Sequence, residues 1–243
     1  MIIAANSNIG RVRHENQDAY AYFTIGQNLA CGVVCDGMGG ANGGRFASHN
    51  AVQIITESLR TALQGEISSA SMRQTLKKAI NAANDYLYES SRREESLYGM
   101  GTTMVAAIIL ENDLFIANIG DSRAYLYSDG LLTQLSVDHS AVQQLVDMGK
   151  ISKEEARTHP RKNLITRAVG VEDFVDFDFY TYTVRSDDRV LLCSDGLSNY
   201  CSDEMLQRLM SARLSPTGMT QKLIDFANEK GGGDNITALI IQK

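Results

Sequence analysis

The stretch Cys31-Gly32-Val33-Val34-Cys35-Asp36-Gly37 joins an apolar run of strand length directly to an Asp-Gly turn. Side chains alternate between the two faces of a strand, so Cys31, Val33 and Cys35 would share one face of a buried sheet. A strand that is apolar on both faces requires covering layers on both sides. This stretch therefore predicts a layered fold, with the Asp36 carboxylate fixed at the edge of a sheet.

Three further stretches place an Asp at the end of an apolar run. The apolar run of Phe115–Asp121 ends at Asp121, and that of Val190–Gly196 leads into Asp195. In Gly231–Ile241 the order is reversed, because Asp234 precedes the apolar run. Converging carboxylates repel one another unless a cation neutralises them. Oxygen ligands without interleaved His or Cys suit Mg²⁺ or Mn²⁺ better than Zn²⁺. Asp-Gly is also a common turn dipeptide, so for any single stretch a plain turn remains an alternative. The four stretches together favour a metal centre.

The rest of the chain alternates short strands with a few helices. Periodicity predicts two long helices, from about Gly44 to Leu63 and from about Ser69 to Arg92, each with one apolar stripe. Strand-like runs are predicted at Ile2–Asn6, Ala19–Ile25, Leu29–Cys35, Thr102–Leu110, Leu114–Ile119, Arg123–Ser128, Phe177–Val184, Arg189–Cys193 and Ile236–Ile241. Shorter helices are expected at 140–148, 153–158, 203–212 and 217–230. We predict an α+β fold of two packed antiparallel β-sheets flanked by helix pairs, an α-β-β-α sandwich.

No linker or repeat divides the 243 residues, so one domain is expected over 1–243. The polar segment of about 136–170 is interpreted as a flap subdomain. With 29 acidic against 23 basic residues, the formal charge of −6 argues against nucleic acid or an anionic membrane as the main partner. No signal peptide or membrane-length apolar run is recognised, so a cytoplasmic monomer is expected. The four cysteines match no zinc or redox spacing, which favours packing roles.

A polar loop, Gly10–Asp18, adds Arg13, whose guanidinium suits a phosphate. This loop belongs to an ordered set of motifs that spans almost the whole chain. They are Arg13-His14-Glu15-Asn16-Gln17-Asp18, Asp36-Gly37-Met38-Gly39-Gly40, Gly99-Met100-Gly101-Thr102-Thr103, Gly120-Asp121-Ser122-Arg123, Ile165–Gly170, Ser194-Asp195-Gly196 and Asp234-Asn235-Ile236-Thr237. With this set the sequence resembles a known family, the bacterial metal-dependent Ser/Thr protein phosphatases of type 2C.

The resemblance implies a centre of two Mn²⁺ or Mg²⁺ ions. By similarity, Asp36 would bridge both ions, with Asp195 and Asp234 completing one of them. The Gly37 carbonyl would bind the other ion, and Asp18 would act on it through water. A hydroxide bridging the metals would attack phosphorus in line and release a Ser or Thr hydroxyl plus phosphate, without a phosphoenzyme.

Other residues acquire roles from the same resemblance. Asp121, with Asp195, matches a weaker third metal site, and Arg13 matches the residue that holds the substrate phosphate. Met38 stands where some relatives carry a His suggested as general acid, so the leaving group must take its proton elsewhere. In the flap, His159 and Arg161 are candidate substrate contacts.

Competing interpretations remain at this point. The glycines after Asp36 resemble a nucleotide-binding loop, but Asn42 stands where the third Gly would be required, and no P-loop is present. A non-catalytic signalling module of the same fold and a phosphatase dedicated to one regulatory phosphoprotein are the alternatives to a general Ser/Thr phosphatase. Phosphoproteins are the expected substrates, and a cognate bacterial Ser/Thr kinase is the expected partner.

Overall fold

The computed structural model describes residues 1–65 and 68–243, with the backbone alone for Ala41 and Asn42. The strands are β1 (Ile2–Asn8), β2 (Asp18–Ile25), β3 (Leu29–Met38), β4 (Gly101–Thr102), β5 (Met104–Leu110), β6 (Asp113–Ile119), β7 (Arg123–Ser128), β8 (Leu131–Gln134), β9 (Asp178–Thr183), β10 (Arg189–Cys193) and β11 (Ile236–Gln242). The helices are α1 (Gly40–Ala62), α2 (Met72–Arg93), α3 (Ala141–Asp147), α4 (Lys153–Thr158), α5 (Asp195–Ser198), α6 (Asp203–Met210) and α7 (Pro216–Glu229). Short 3-10 turns cover Ser69–Ser71 and Glu95–Leu97.

These strands form two antiparallel sheets. One has the order β1-β11-β10-β7-β8, and the other has the order β2-β3-β5-β6-β9, with β4 paired to β3. The chain termini meet in the first sheet, where Ile3 lies opposite Ile241. In the second sheet, β2 and β3 form one hairpin and β5 and β6 another, as the short connections between these strands require.

Strand alternation separates three apolar layers. On β3, Cys31, Val33 and Cys35 pack against α1 and α2, whereas Ala30 and Val34 face the other sheet. On β10, Leu191 and Cys193 likewise pack against the helices outside the first sheet, whereas Val190 and Leu192 face inward. The predicted α-β-β-α sandwich is confirmed, because each sheet buries one face against its partner and the other against helices.

Several elements differ from the predictions. The helix expected from about Gly44 begins at Gly40, and the run expected to be one strand over Thr102–Leu110 is divided into β4 and β5. The strand β8 and the single-turn helix α5 were not predicted. Both are short, and their formation depends on neighbours distant in sequence more than on local periodicity.

The segment predicted as a flap carries α3 and α4. It leaves the sandwich after β8 and returns at Val169, whose backbone exchanges hydrogen bonds with Thr102 at 3.0 and 2.8 Å. All four cysteines are buried and unpaired, which agrees with the packing interpretation. Among the described helices, none has the length and apolar character needed to cross a lipid bilayer.

Candidate active site

One cavity of about 570 Å³ collects acidic residues from four separate parts of the sequence. It is lined by Asp36, Asp121, Asp195 and Asp234, together with Arg13 from the N-terminal loop. We call it the carboxylate cavity. Each Asp is delivered by a different element, since Asp36 belongs to β3, Asp121 precedes β7, Asp195 begins α5 and Asp234 precedes β11. The strand-end pattern in the sequence thus places these side chains together at one end of the sandwich.

The backbone around Asp36 is fixed by two threonines. The Asp36 amide donates to Thr103 Oγ1 at 2.9 Å, and the Asp36 carbonyl accepts from both the Thr103 amide and Thr102 Oγ1, at 2.9 and 2.8 Å. Thr103 Oγ1 also lies 2.7 Å from Ser122 Oγ, beside Asp121. Satisfying these buried polar groups ties β3 to the turn that carries Asp121, which limits the movement of both carboxylates.

Asp18 lies directly opposite Asp36 in the β2–β3 pair and is buried below the cavity. Its Oδ2 accepts from Ser194 Oγ at 2.7 Å and from Thr237 Oγ1 at 2.6 Å. Its Oδ1 is buried and accepts no hydrogen bond from any described group. A buried carboxylate oxygen without a donor is costly unless a cation or a water approaches it.

Asn235 connects the N-terminal loop to the carboxylate cavity. Its Nδ2 donates to the carbonyls of Ile9 and Glu15, both at 2.9 Å, and its Oδ1 accepts from the Gln17 amide at 2.8 Å. A single buried amide therefore holds both ends of the loop that contains Arg13. In the cavity, Arg13 Nη2 donates to Asp234 Oδ2 at 2.8 Å.

Electrostatics explain why these carboxylates need a cation. Burial, reinforced by the charges of Asp18, Asp195 and Asp121, raises the pKa of Asp36 well above its ordinary value. Burial and the Asp195 charge do the same to the pKa of Asp121, and burial raises the pKa of Asp18 to about 7. Burial and the charge of Asp234 also raise the pKa of Asp195. Each ionised carboxylate is thus destabilised by burial and by its neighbours, and a divalent ion would remove both penalties.

Known proteins resemble this chain over almost its whole length. The family described as Protein phosphatase 2C matches residues 10–228. The chain belongs to this family. It is 39% identical over 236 residues to a serine/threonine phosphatase (stp) of Listeria monocytogenes, covering 96% of this chain and 92% of the relative.

Solved structures give the same result. The Mycobacterium tuberculosis serine/threonine phosphatase PstP/Ppp superposes with a TM-score of 0.88 at 35% identity, covering 100% of this chain and 99% of that one. A structure of the PstP catalytic domain in complex with two manganese ions has a TM-score of 0.83 at 35% identity, covering 98% and 96% of the two chains. The predicted protein phosphatase of type 2C is confirmed.

The predicted site residues of this 2C-type phosphatase divide into three groups. Those lining the carboxylate cavity are Arg13, Asp36, Gly37, Asp121, Asp195 and Asp234. Asp18 lies beneath it. His159 and Arg161 are not among its lining residues, whereas two neighbours of theirs in the flap, Asn163 and Ile165, are. The substrate-contact role of His159 and Arg161 stays a prediction.

Lys162 and His139 were not singled out from the sequence as site residues. Lys162 lines a neighbouring cleft together with Asp121 and Asp195. Its positive charge offsets part of the rise that burial and Asp234 cause in the pKa of Asp195. His139 is buried, and its Nδ1 accepts from the Gly120 amide at 3.0 Å. That hydrogen bond assigns the proton to Nε2, which lies 3.3 Å from Asp178 Oδ2. His139 thereby fixes the turn before Asp121.

Gly196 permits the closest backbone approach in the site. A Cβ added at this residue would lie 1.9 Å from the Asn235 carbonyl oxygen and 3.5 Å from the Asp234 Cβ. We therefore expect Gly196→Ala to push apart the segments that carry Asp195 and Asp234. The expected loss is about 1–3 kcal/mol of unfolding free energy, with a fall in activity greater than the loss of folded protein accounts for.

Urea denaturation followed by circular dichroism, with kinetics under native conditions, measures both effects. Gly65→Ala is the matched control, because among the described residues no atom beyond its chain neighbours lies within 4 Å of a Cβ built there. If Gly196→Ala behaved like Gly65→Ala in both measurements, the close approach would have no influence on the site.

Proposed function

We propose that this chain hydrolyses phosphoserine and phosphothreonine in proteins with the help of divalent cations held in the carboxylate cavity. One observation carries the proposal: a single cavity joins an arginine suited to phosphate with four carboxylates that repel one another. Positive charge is required there for the carboxylates to stay ionised, and a phosphoryl group requires positive charge as well.

The residues that would hold two ions are Asp36, Asp195 and Asp234, with the Gly37 carbonyl and Asp18. Asp121 with Asp195 would form a weaker third site. All of these donors are oxygens, as Mn²⁺ and Mg²⁺ prefer, and the unpartnered Asp18 Oδ1 agrees with a ligand or a water above it. When bound, such ions would lower the pKa of an attacking water and neutralise charge developing on the phosphoryl oxygens.

The chemistry of these donors suits the ions, but the side chains do not converge closely enough to form a finished metal site. Within residues 1–65 and 68–243, no group of three or more His, Cys, Asp or Glu side chains is already arranged so that it could hold a metal ion. The Arg13–Asp234 ion pair at 2.8 Å occupies one of the carboxylate oxygens. Ion binding is therefore expected to release Asp234 from Arg13, which frees the guanidinium for the substrate phosphate.

Arg13 is the residue assigned to the phosphate. Its side chain is 54% exposed at the mouth of the cavity, while Asn235 holds the loop on both sides of it. A guanidinium can donate two parallel hydrogen bonds to phosphate oxygens, which positions the phosphorus as well as attracting it. Met38, at the rim of the same cavity, has no proton to donate, so it contributes by packing.

Replacing Arg13 tests this assignment. Arg13→Ala is expected to raise KM for phosphothreonine peptides about ten- to a hundredfold, because one or two charge-assisted hydrogen bonds to phosphate are lost. Steady-state kinetics and Mn²⁺ binding by calorimetry measure the two consequences separately. Binding of Mn²⁺ should persist, since Arg13 is not an ion ligand.

Arg185→Ala is the matched control, because Arg185 is also an exposed arginine paired with an aspartate, Asp129, at 2.7 Å, and it lies outside the cavity. An unchanged KM in Arg13→Ala, equal to that of Arg185→Ala, would contradict the phosphate-binding role.

Several finer expectations belong to the same proposal. We propose that residues 1–243 form one catalytic domain, that the segment of about 136–170 acts as its flap, and that the protein works as a cytoplasmic monomer. Its substrates would be phosphoproteins produced by a bacterial Ser/Thr kinase. Loss of a metal-binding carboxylate would be the usual mark of the non-catalytic alternative, and the chain retains Asp36, Asp195 and Asp234.

A further inference from the structure

A second cavity, of about 340 Å³, adjoins the carboxylate cavity. We call it the side cavity. Its apolar lining consists of Met38, Ile165, Ala168, Val171, Phe174 and Val175. It is formed where the end of β3 meets the segment 165–176, which is more than 120 residues away in sequence.

The two cavities share part of their walls. Met38 and Ile165 line both of them. A substrate with its phosphate in the carboxylate cavity therefore reaches the side cavity across these two side chains. Since one residue of an extended peptide spans about 3.3–3.6 Å, the residues that reach it are the near neighbours of the phosphorylated one.

Two of the apolar side chains of the side cavity remain open to solvent. Phe174 is 57% exposed and Val171 is 44% exposed. The packing beneath them is close, because a Cβ on Gly101 would lie 2.6 Å from Val171 Cγ2 and 3.0 Å from Met38 Cε. The absence of a side chain at Gly101 thus lets Met38 and Val171 come together as one surface. Exposed apolar groups with firm packing underneath are typical of a surface that binds a ligand.

The charged residues that line the side cavity are one arginine and two acids. Arg167 donates from Nη1 to Asp178 Oδ1 at 3.1 Å and is thereby neutralised. Glu172 and Asp176, both exposed, form no ion pair with another described residue. Arg73 and Lys77 line an adjoining cavity that shares Asp176 with the side cavity, whereas Glu172 does not line that cavity. A segment that approaches on the Glu172 side would therefore be favoured if it carried positive charge beside its apolar group.

We infer that the side cavity is a specificity subsite of the phosphatase. It takes the apolar side chain of a residue that flanks the phosphoserine or phosphothreonine, and it favours a Lys or Arg next to that residue. The inference rests on the proposed function, because the phosphate must occupy the carboxylate cavity for the neighbouring residue to reach Met38 and Ile165. It adds a substrate preference that the metal centre and Arg13 do not provide.

A positional scan of phosphothreonine peptides tests the subsite. Leu or Phe is placed singly at each position from three before to three after the phosphothreonine, in an otherwise Ala-based peptide. Leu or Phe at one or two adjacent positions, on one side of the phosphothreonine, is expected to raise kcat/KM about five- to twentyfold over Ala. The reason is that the peptide's apolar side chain becomes partly buried in the side cavity. A Lys beside the preferred position should raise it further.

Two variants assign the preference to the side cavity. Phe174→Ala should remove the apolar preference, and Glu172→Lys should reverse the preference for Lys into one for Glu. Both side chains are exposed, so both variants should fold. Tyr22→Ala is the matched control, since Tyr22 is an aromatic residue 44% exposed on β2 that lines neither cavity. Hydrolysis of N-acetyl-phosphothreonine methylamide, which has no flanking side chains, should be unchanged in all three variants.

The outcomes separate the subsite from the activity. A flat scan, or a preference that persists in Phe174→Ala, overturns the subsite while leaving the phosphatase activity in place. If the wild-type protein hydrolyses neither the peptides nor the small phosphothreonine ester, the proposed function is overturned, and the subsite with it.

Discussion

Removing divalent cations with EDTA is expected to lower kcat/KM for phosphothreonine peptides by at least about a thousandfold, and added Mn²⁺ should restore it. The physical reason is that the remaining groups can neither activate a water nor offset charge on the phosphoryl group. Among the Lys and Arg residues that the structure describes, Arg13 is the one that lines the carboxylate cavity, and it can position a phosphate without supplying a nucleophile.

Metal removal should also be visible without turnover. Cations that relieve repulsion among Asp36, Asp121 and Asp195 bind the folded chain in preference to the unfolded one, so Mn²⁺ should raise Tm in proportion to the logarithm of its concentration. Differential scanning calorimetry measures this, and EDTA already saturated with Mn²⁺ serves as the control. Full activity in excess EDTA, together with an unchanged Tm on addition of Mn²⁺, would contradict a metal centre.

The second large effect is expected from Asp36→Asn. The amide keeps the shape of the side chain, and the hydrogen bonds between the Asp36 backbone and Thr102 and Thr103 stay in place. What is lost is the charge of the carboxylate proposed to bridge both ions. We expect kcat/KM to fall by at least about a thousandfold and calorimetry to find fewer bound Mn²⁺ ions.

The same substitution should act on stability in the opposite direction. The raised pKa of Asp36 means that its ionised form is disfavoured in the folded chain, so ionisation at neutral pH opposes folding. In EDTA, Asp36→Asn should therefore unfold at a higher urea concentration than the wild type, whereas with Mn²⁺ the order should reverse. Asp85→Asn, on the exposed face of α2, is the matched control. It should leave the urea midpoint unchanged both in EDTA and with Mn²⁺. A variant destabilised in EDTA would show that Asp36 serves the fold more than the site.

Much of the proposed metal centre was accessible from the sequence. Asp36, Asp121, Asp195 and Asp234 each follow or precede an apolar run, and a strand fixes the place of its end residue within narrow limits. Layers on both sides of the sheets follow from runs such as Cys31–Cys35 that are apolar on both faces. Local pattern was sufficient here because strand periodicity and Asp-Gly turns are encoded by neighbouring residues.

The groups that hold these carboxylates in place were not accessible in that way. Asp18 accepts hydrogen bonds from Ser194 and Thr237, which are 176 and 219 residues away in the chain. Asn235 reaches back to the carbonyl of Ile9, 226 residues earlier. An isolated Ser, Thr or Asn gives no sign in sequence of which distant partner it will bind, because the pairing depends on how two sheets stack.

By itself, the amino-acid sequence determined most of the strands, the two long helices, the acidic motifs and the resemblance to type 2C phosphatases, since each depends on residues close together in the chain. Tertiary structure alone decided which residues of the segment 136–170 line the carboxylate cavity, how His139 fixes the Asp121 turn, and that Met38 and Val171 both lie close to Gly101. Those features depend on contacts between segments brought together by burying apolar layers, and burial rewards total area and shape without recording which segments will meet.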